Sequence, residues 1–487
     1  MPESPSPRTA LIRGALWTVM TRWSIKGIGF LNTVIMARLL VPEDYGLVAL
    51  ATLVVAGLQA FMDVGAATAL LRKAEVTREE IDSAWTLRLL QCVATAGLIL
   101  ALSPVAAMFF NEQRLQLLLW AFAGGMLLTG LTNIGPTLAL KNYQFSVDFR
   151  INVYAKLASV AATLGSAWWL GDYRALVIGI LSGQIASVVL SYSLHIYRPR
   201  WCTSGISEIW RITKWLMLAN MGTFVLRKGD EIVAGRIAST HEYGLYNVGA
   251  DLGSMPVQEI GPAVLRALLP VLASIREDTV RLHSALIKVL ATVNGLIWGL
   301  SATFAVAAPD LTVLILGDKW QAAAVYVAWF AVISSAQTAG MPLRSYLTLI
   351  GETRSQSTSV WAEFVVFVLA ALVLVPWAGL MGLVYARLIA SVTNGGHLVW
   401  QVASQGGVAP KGLLLAVLRP VLSFGLALAA GSWAVAHIDT LFLRLPTGIA
   451  LTVLVYAGAS LLGWWLIGRP EGIESMARER LQQVIRR

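Results

Sequence analysis

Residues 17–47 read WTVMTRWSIKGIGFLNTVIMARLLVPEDYGL, and residues 215–245 read WLMLANMGTFVLRKGDEIVAGRIASTHEYGL. The second stretch follows the first by 198 positions without a gap. Trp17, Arg38, Tyr45, Gly46 and Leu47 meet Trp215, Arg236, Tyr243, Gly244 and Leu245, and Asp44 faces Glu242. Val34 and Ile35 face Ile232 and Val233. Each stretch is an apolar run of spanning length, a short polar loop, and the start of a second apolar run. The match points to a duplication in which each half opens with a helix crossing the membrane in the same direction.

Working outward, apolar segments of about 20 residues recur along the chain. They fall near 14–38, 46–71, 84–109, 117–139, 150–170, 175–197, 213–236, 246–271, 285–308, 322–347, 359–377, 379–400, 413–437 and 447–467. The chain is 57% hydrophobic and 13% charged, against roughly 25% charged in soluble domains. The fold class is therefore all-α, a polytopic membrane protein of about fourteen transmembrane helices. Two pseudo-repeated six-helix lobes (1–209, helices 1–6, and 210–402, helices 7–12) are expected around a central cavity. Helices 13–14 and a cytoplasmic tail follow in 403–487. In transporters built from parallel repeats the site lies between the halves, and rocking them gives alternating access.

The formal charge of +10 would suggest nucleic acid in a soluble protein. Here the positive-inside rule accounts for most of it: loops on the side of the termini hold twenty-one basic residues and the opposite loops six. The reading is a bacterial inner-membrane protein with both termini cytoplasmic and no nucleic-acid partner. Met1 to Arg13 show no removable signal peptide. Cys92 and Cys202 give neither a disulfide nor a metal framework.

Ten basic residues lie within or at the inner ends of helices, where charge costs about 2.5–3.5 kcal/mol at the bilayer centre. Arg88, Arg344 and Arg419 are near enough to the inner surface to snorkel. Arg387 invites a structural pair with Glu363. Arg22 and Lys26, four apart, share one face of helix 1. Helix 7 carries Arg227, Lys228, Asp230 and Glu231, with Arg227 and Glu231 spaced to pair and Lys228 left on a neighbouring face. Lys156 stands alone in helix 5, and Arg266 shares a face of helix 8 with Glu259.

A cavity lined by Arg22, Lys26, Lys156, Arg227, Lys228 and Arg266 suits a pyrophosphate, whose oxygens take charge-assisted hydrogen bonds. The acids Asp63, Asp230, Glu231, Asp251 and Glu259 read either as salt-bridge partners or as the site of a driving proton or sodium ion. The sequence does not separate those roles. No catalytic residue, metal site or cofactor is indicated: there is no G-x-x-x-x-G-K-[ST] loop, no H-E-x-x-H, and five scattered histidines. Outer loops of about a dozen residues leave little room for the external site of a membrane polymerase or glycosyltransferase.

Four stretches carry a family resemblance. They are Ala37–Leu47 (ARLLVPEDYGL), Leu71–Ala84 (LRKAEVTREEIDSA), Met255–Pro262 (MPVQEIGP) running on to Leu269-Pro270, and Leu316–Trp320 (LGDKW). In this order the chain resembles the Wzx-type polysaccharide flippases of the multidrug/oligosaccharidyl-lipid/polysaccharide exporter superfamily, in the colanic-acid-exporter-like branch. The resemblance implies two six-helix lobes forming a V, an extra helix pair, and a polyprenyl-pyrophosphate-linked repeat unit as cargo for O-antigen, capsule or exopolysaccharide. A polysaccharide polymerase and a chain-length regulator are further expected partners. Two other readings remain: a cation-coupled multidrug exporter of the same fold, whose cavity should be dominated by acids, and a membrane-embedded glycosyltransferase or polymerase.

Overall fold

The computed structural model describes residues 7–62, 76–141, 143–204 and 206–468. Every regular element among them is helical. In chain order these are α1 (Pro7–Leu39), α2 (Pro42–Met62), α3 (Arg78–Phe109), α4 (Arg114–Leu131), the short α5 (Gly135–Lys141), α6 (Phe145–Leu170), α7 (Arg174–Ser193) and α8 (Ile206–Ile237). There follow α9 (Thr240–Ser274), α10 (Thr279–Leu316), a 3-10 turn (Asp318–Ala323), α11 (Ala324–Ala339), α12 (Met341–Leu349), α13 (Thr353–Gly406), α14 (Pro410–Ala436) and α15 (Leu441–Leu466).

Among the described residues, nine helical runs are long and apolar enough to cross a membrane. Four more helices, α1, α6, α8 and α9, have the length at 26 to 35 residues but fall short in apolarity. They are the helices that carry the candidate site residues. One of the nine, α13, is a hairpin. Gly379 takes φ 55° there, a conformation open to glycine without a Cβ penalty, and two spans meet at it. With that, the described helices account for the fourteen expected segments.

Contacts divide the chain into two compact units, Met1–Gly244 and Leu245–Arg487. Compactness and sequence duplication are different divisions, so this one does not decide the expected lobe boundaries. In the first unit α1 packs on α6, α6 on α7, α3 on α4, and α8 on α2 and α3. In the second, α10 is the hub for α11, α14 and α15. Its core gathers Leu286, Leu290 and Ile297 of α10 with Leu343 and Leu347 of α12 and Leu413 of α14. The C-terminal pair thus packs on α10, and Tyr456 of α15 donates its hydroxyl to the Gly295 carbonyl at 2.7 Å.

The repeated motifs have physical causes. Asp44 is the third residue of α2 and accepts from the Val41 amide at 3.3 Å; Glu242 is the third residue of α9 and accepts from the Ser239 amide at 3.0 Å. Each carboxylate satisfies an amide at a helix start, half of a capping box. The glycine that follows lets two backbones touch. A Cβ on Gly46 would lie 1.9 Å from the Thr240 carbonyl oxygen, and one on Gly244 1.9 Å from that of Pro42. The two copies of the motif are therefore each other's partners within the first unit.

The other family stretches are also legible. Thr77 and Glu80 close a full capping box on α3. Asp82, 5% exposed, holds the segment after α7 by accepting from the Tyr197 hydroxyl at 2.7 Å and the Arg200 amide at 2.9 Å. Gly317 ends α10 at φ 96°, and Trp320 is fully buried beside it. On α9, Gly253 and Gly261 seat α11, since a Cβ would meet the Val327 carbonyl oxygen and the Thr338 methyl, each at 2.3 Å. Small residues at such a seam let membrane helices approach closely.

Candidate functional site

α1 and α6 run parallel and in register. Phe145 lies on Gly14, Trp17 meets Phe149 edge to face at 5.1 Å, and Met36 clusters with Ala167. That register starts Lys156 level with Ser24 and Ile25, between the turns of Arg22 and Lys26. The Lys156 chain reaches over Gly29, where a Cβ would stand 3.5 Å from its Cε and 3.6 Å from its Nζ. Arg22 is exposed, and Lys26 and Lys156 are half-buried. The structure thus brings a residue read as solitary to the same edge as the α1 pair. Among the described residues Lys156 has no hydrogen bond and no ion pair. A half-buried ammonium without a carboxylate, at mid-helix, is what an anion-binding site needs and what a structural core avoids.

The α8 cluster is arranged differently from the sequence expectation. Glu231 bonds Lys228, three residues back, not Arg227. Arg227 is exposed, with no ion pair among the described residues. Both spacings bring side chains together on a helix, and the flexible lysine stem takes the shorter one. Lys228 is consequently a neutralised cation, and Arg227 is the one left over. Asp230 is 5% exposed.

On α9, Asp251 is exposed and Glu259 half-buried. Asp63 and the Arg266 side chain lie outside the described residues. With Arg266 set aside, the candidate cations all belong to the first unit.

Two carboxylates of the second unit, Glu363 and Asp310, are each joined to an arginine. Glu363 takes Arg344 at 3.0 Å and Asn394 at 2.8 Å. The expected partner Arg387 instead lies over the Phe367 ring, 5.6 Å from its centre. The hairpin register explains this: about Gly379 the limbs run antiparallel, Arg387 falls opposite Phe367, and Asn394 falls opposite Glu363. Arg344 is therefore a bonded residue rather than a snorkelling one. Arg419 is likewise only 6% exposed, its stem packed on Gly463. Arg88 donates to the Thr132 carbonyl at the end of α4.

Sequence reasoning passed over two elements. Asp310 of α10, 1% exposed, receives Arg444 of α15 through Nε at 2.9 Å and through a second contact from Nη2. The apolar run stops before Pro309, but α10 continues to Leu316 and carries Asp310 with it. The second is a clasp at one end of the first unit. Arg114 holds Glu43 at 2.5 Å and Glu112 at 2.8 Å, and Glu112 accepts from the Thr240 hydroxyl at 2.9 Å. Arg114 holds the Glu112 carboxyl below the usual glutamate range. Single loop charges give no hint in the sequence of such convergence.

Known proteins match this arrangement along most of its length. The chain is similar to the lipopolysaccharide biosynthesis protein WzxC of Escherichia coli (strain K12), 21% identical over 395 residues and covering 80% of each protein. Its fold is similar to that of the lipid II flippase MurJ in an inward closed conformation, with TM-score 0.69 at 15% identity, covering 93% of this chain and 99% of that one. An inward-facing multidrug resistance MATE family transporter matches with TM-score 0.57 at 15% identity, covering 81% and 94%. Residues 35–325 match the family model described as polysaccharide biosynthesis protein, and the chain, a multi-pass integral membrane protein, belongs to that family.

Proposed function

We propose that this protein is a flippase that carries a polyprenyl-pyrophosphate-linked oligosaccharide from the cytoplasmic to the periplasmic leaflet by alternating access, for assembly of a surface polysaccharide. The observation that carries the reading is the edge formed by Arg22, Lys26 and Lys156 on the α1–α6 seam. A diphosphate brings several charged oxygens, and three cations along one edge can take them through charge-assisted bonds in a low-dielectric surrounding. Arg227 is the fourth candidate. Lys228 contributes when the cargo displaces Glu231.

Twenty-one basic residues on one set of loops against six on the other support cytoplasmic termini in a bacterial inner membrane. The chain is a transporter and not a catalyst, and its cycle is driven by a proton or sodium gradient through the acids of α8 and α9. A polymerase and a chain-length regulator would receive its product. The buried Asp230 and the fold shared with a multidrug transporter favour, as a second reading, a cation-coupled exporter of drugs.

The test is replacement of Arg22, Lys26 and Lys156 singly by alanine, with surface polysaccharide measured in cells at matched protein level. Output should fall about tenfold or more for at least two of the three, the effect of roughly 1.4 kcal/mol of lost binding. Full output from all three, with purified protein that binds lipophilic cations instead, would favour the exporter.

A further inference from the structure

Between α2, α3 and α8 the first unit has a cleft of about 320 Å³ with an entirely apolar lining. That is within the size range of small-ligand sites, roughly 300–1,000 Å³. Its floor is closed by Leu53, 5% exposed, and Phe110, 9% exposed. Its open side is bordered by Val105, 59% exposed, and Phe109, 44% exposed. α8 contributes Phe224, which rests on Gly57, and Ile232, two turns further on. A narrow slot walled by phenyl rings accepts one branched hydrocarbon chain better than a paired set of acyl chains.

The slot has a charged mouth. Arg236, in the last turn of α8, is exposed, and its guanidinium stands 5.8 Å from the centre of the Phe109 ring. Arg114, at the same end of the first unit, is already committed to Glu43 and Glu112. Among the described residues Arg236 has no ion pair. An unneutralised guanidinium at the end of a membrane helix sits where a lipid phosphate lies, and the apolar slot runs from it along α3 and α8. An anionic headgroup on one long chain matches both features.

We propose that this cleft holds the phosphate-proximal isoprene units of a polyprenyl phosphate, with the phosphate on Arg236. The site rests on the flippase reading and is separate from the α1–α6 cations. It holds the carrier lipid by its phosphate and first isoprenes together, at a place other than the α1–α6 diphosphate site.

The experiment uses the full chain in phosphatidylcholine nanodiscs and a polyprenyl phosphate bearing a diazirine near its phosphate end. Light should attach the probe within 53–61 and 102–110. Excess unlabelled polyprenyl phosphate should cut this labelling at least about fivefold, and equal phosphatidylglycerol should leave it within about twofold. Val105→Trp, which blocks the open side without disturbing the floor, and Arg236→Ala should each cut labelling at least about fivefold; Arg236→Lys should retain it. Equal competition by phosphatidylglycerol would reduce the cleft to ordinary lipid contact. Saturable labelling confined to other segments would overturn the cleft and leave the flippase standing. No saturable labelling anywhere would overturn both.

Discussion

The α1–α6 edge of the first unit and the paired carboxylates of the second hold charge in opposite ways. In the second, Asp310 is locked to Arg444, and Glu363 is shared by Arg344 and Asn394. In the first, Lys156 stands beside Arg22 and Lys26 without an ion pair among the described residues, and Arg227 has none either. A buried pair is costly to break because one charge is then left alone. An unpaired cation is costly to keep, and removing it should relieve the fold. The pairs at Asp310 and Glu363 accordingly serve architecture, and the cations on the α1–α6 edge serve a ligand.

That contrast can be broken by mutation. Asp310→Ala should cost the most, about 3 kcal/mol of stability, by leaving Arg444 without its buried partner. Thermal unfolding in detergent with and without Arg444→Met reads it, and the double variant should recover much of the loss. Glu363→Ala should cost about 2 kcal/mol, through two lost donors of which one is charged. Lys156→Met should change stability by less than about 0.5 kcal/mol, or raise it, while polysaccharide output collapses. Melting of Lys156→Met as low as that of Asp310→Ala would erase the distinction between the units.

The smallest effect concerns the clasp. The Glu112 carboxyl is held low by Arg114 in the folded chain, so its contribution is present above the ordinary glutamate range and lost as pH falls through its folded value. Stability should drop on acidification by on the order of 1 kcal/mol more in the parent than in Glu112→Gln. Identical acid profiles would show that the clasp adds nothing.

Much of the fold was written in the sequence because lipid permits few solutions. Segment length gave the spans, and loop charge suggested their direction. The duplicated acidic-Tyr-Gly-Leu run even marked a contact, since its glycines meet at a helix crossing that tolerates no Cβ. The site was legible one helix at a time. Arg22 with Lys26 followed from a spacing of four, whereas the approach of Lys156 depends on the α1–α6 register, which no local pattern reveals. For the same reason Glu363 does not meet the arginine that spacing offered: the hairpin pivot at Gly379 sets Asn394 opposite Glu363 and Phe367 opposite Arg387, and Arg344 reaches it from α12. On α8 the spacing allowed two partners for Glu231, and only the folded helix chooses Lys228.

The most direct test is equilibrium binding of a polyprenyl pyrophosphate to the purified chain and to its Lys156→Met variant. The account expects the variant to fold as well as the parent and to bind at least about tenfold more weakly, with the difference shrinking for a polyprenyl alcohol of the same length. Equal affinity of the two proteins for the pyrophosphate would contradict it.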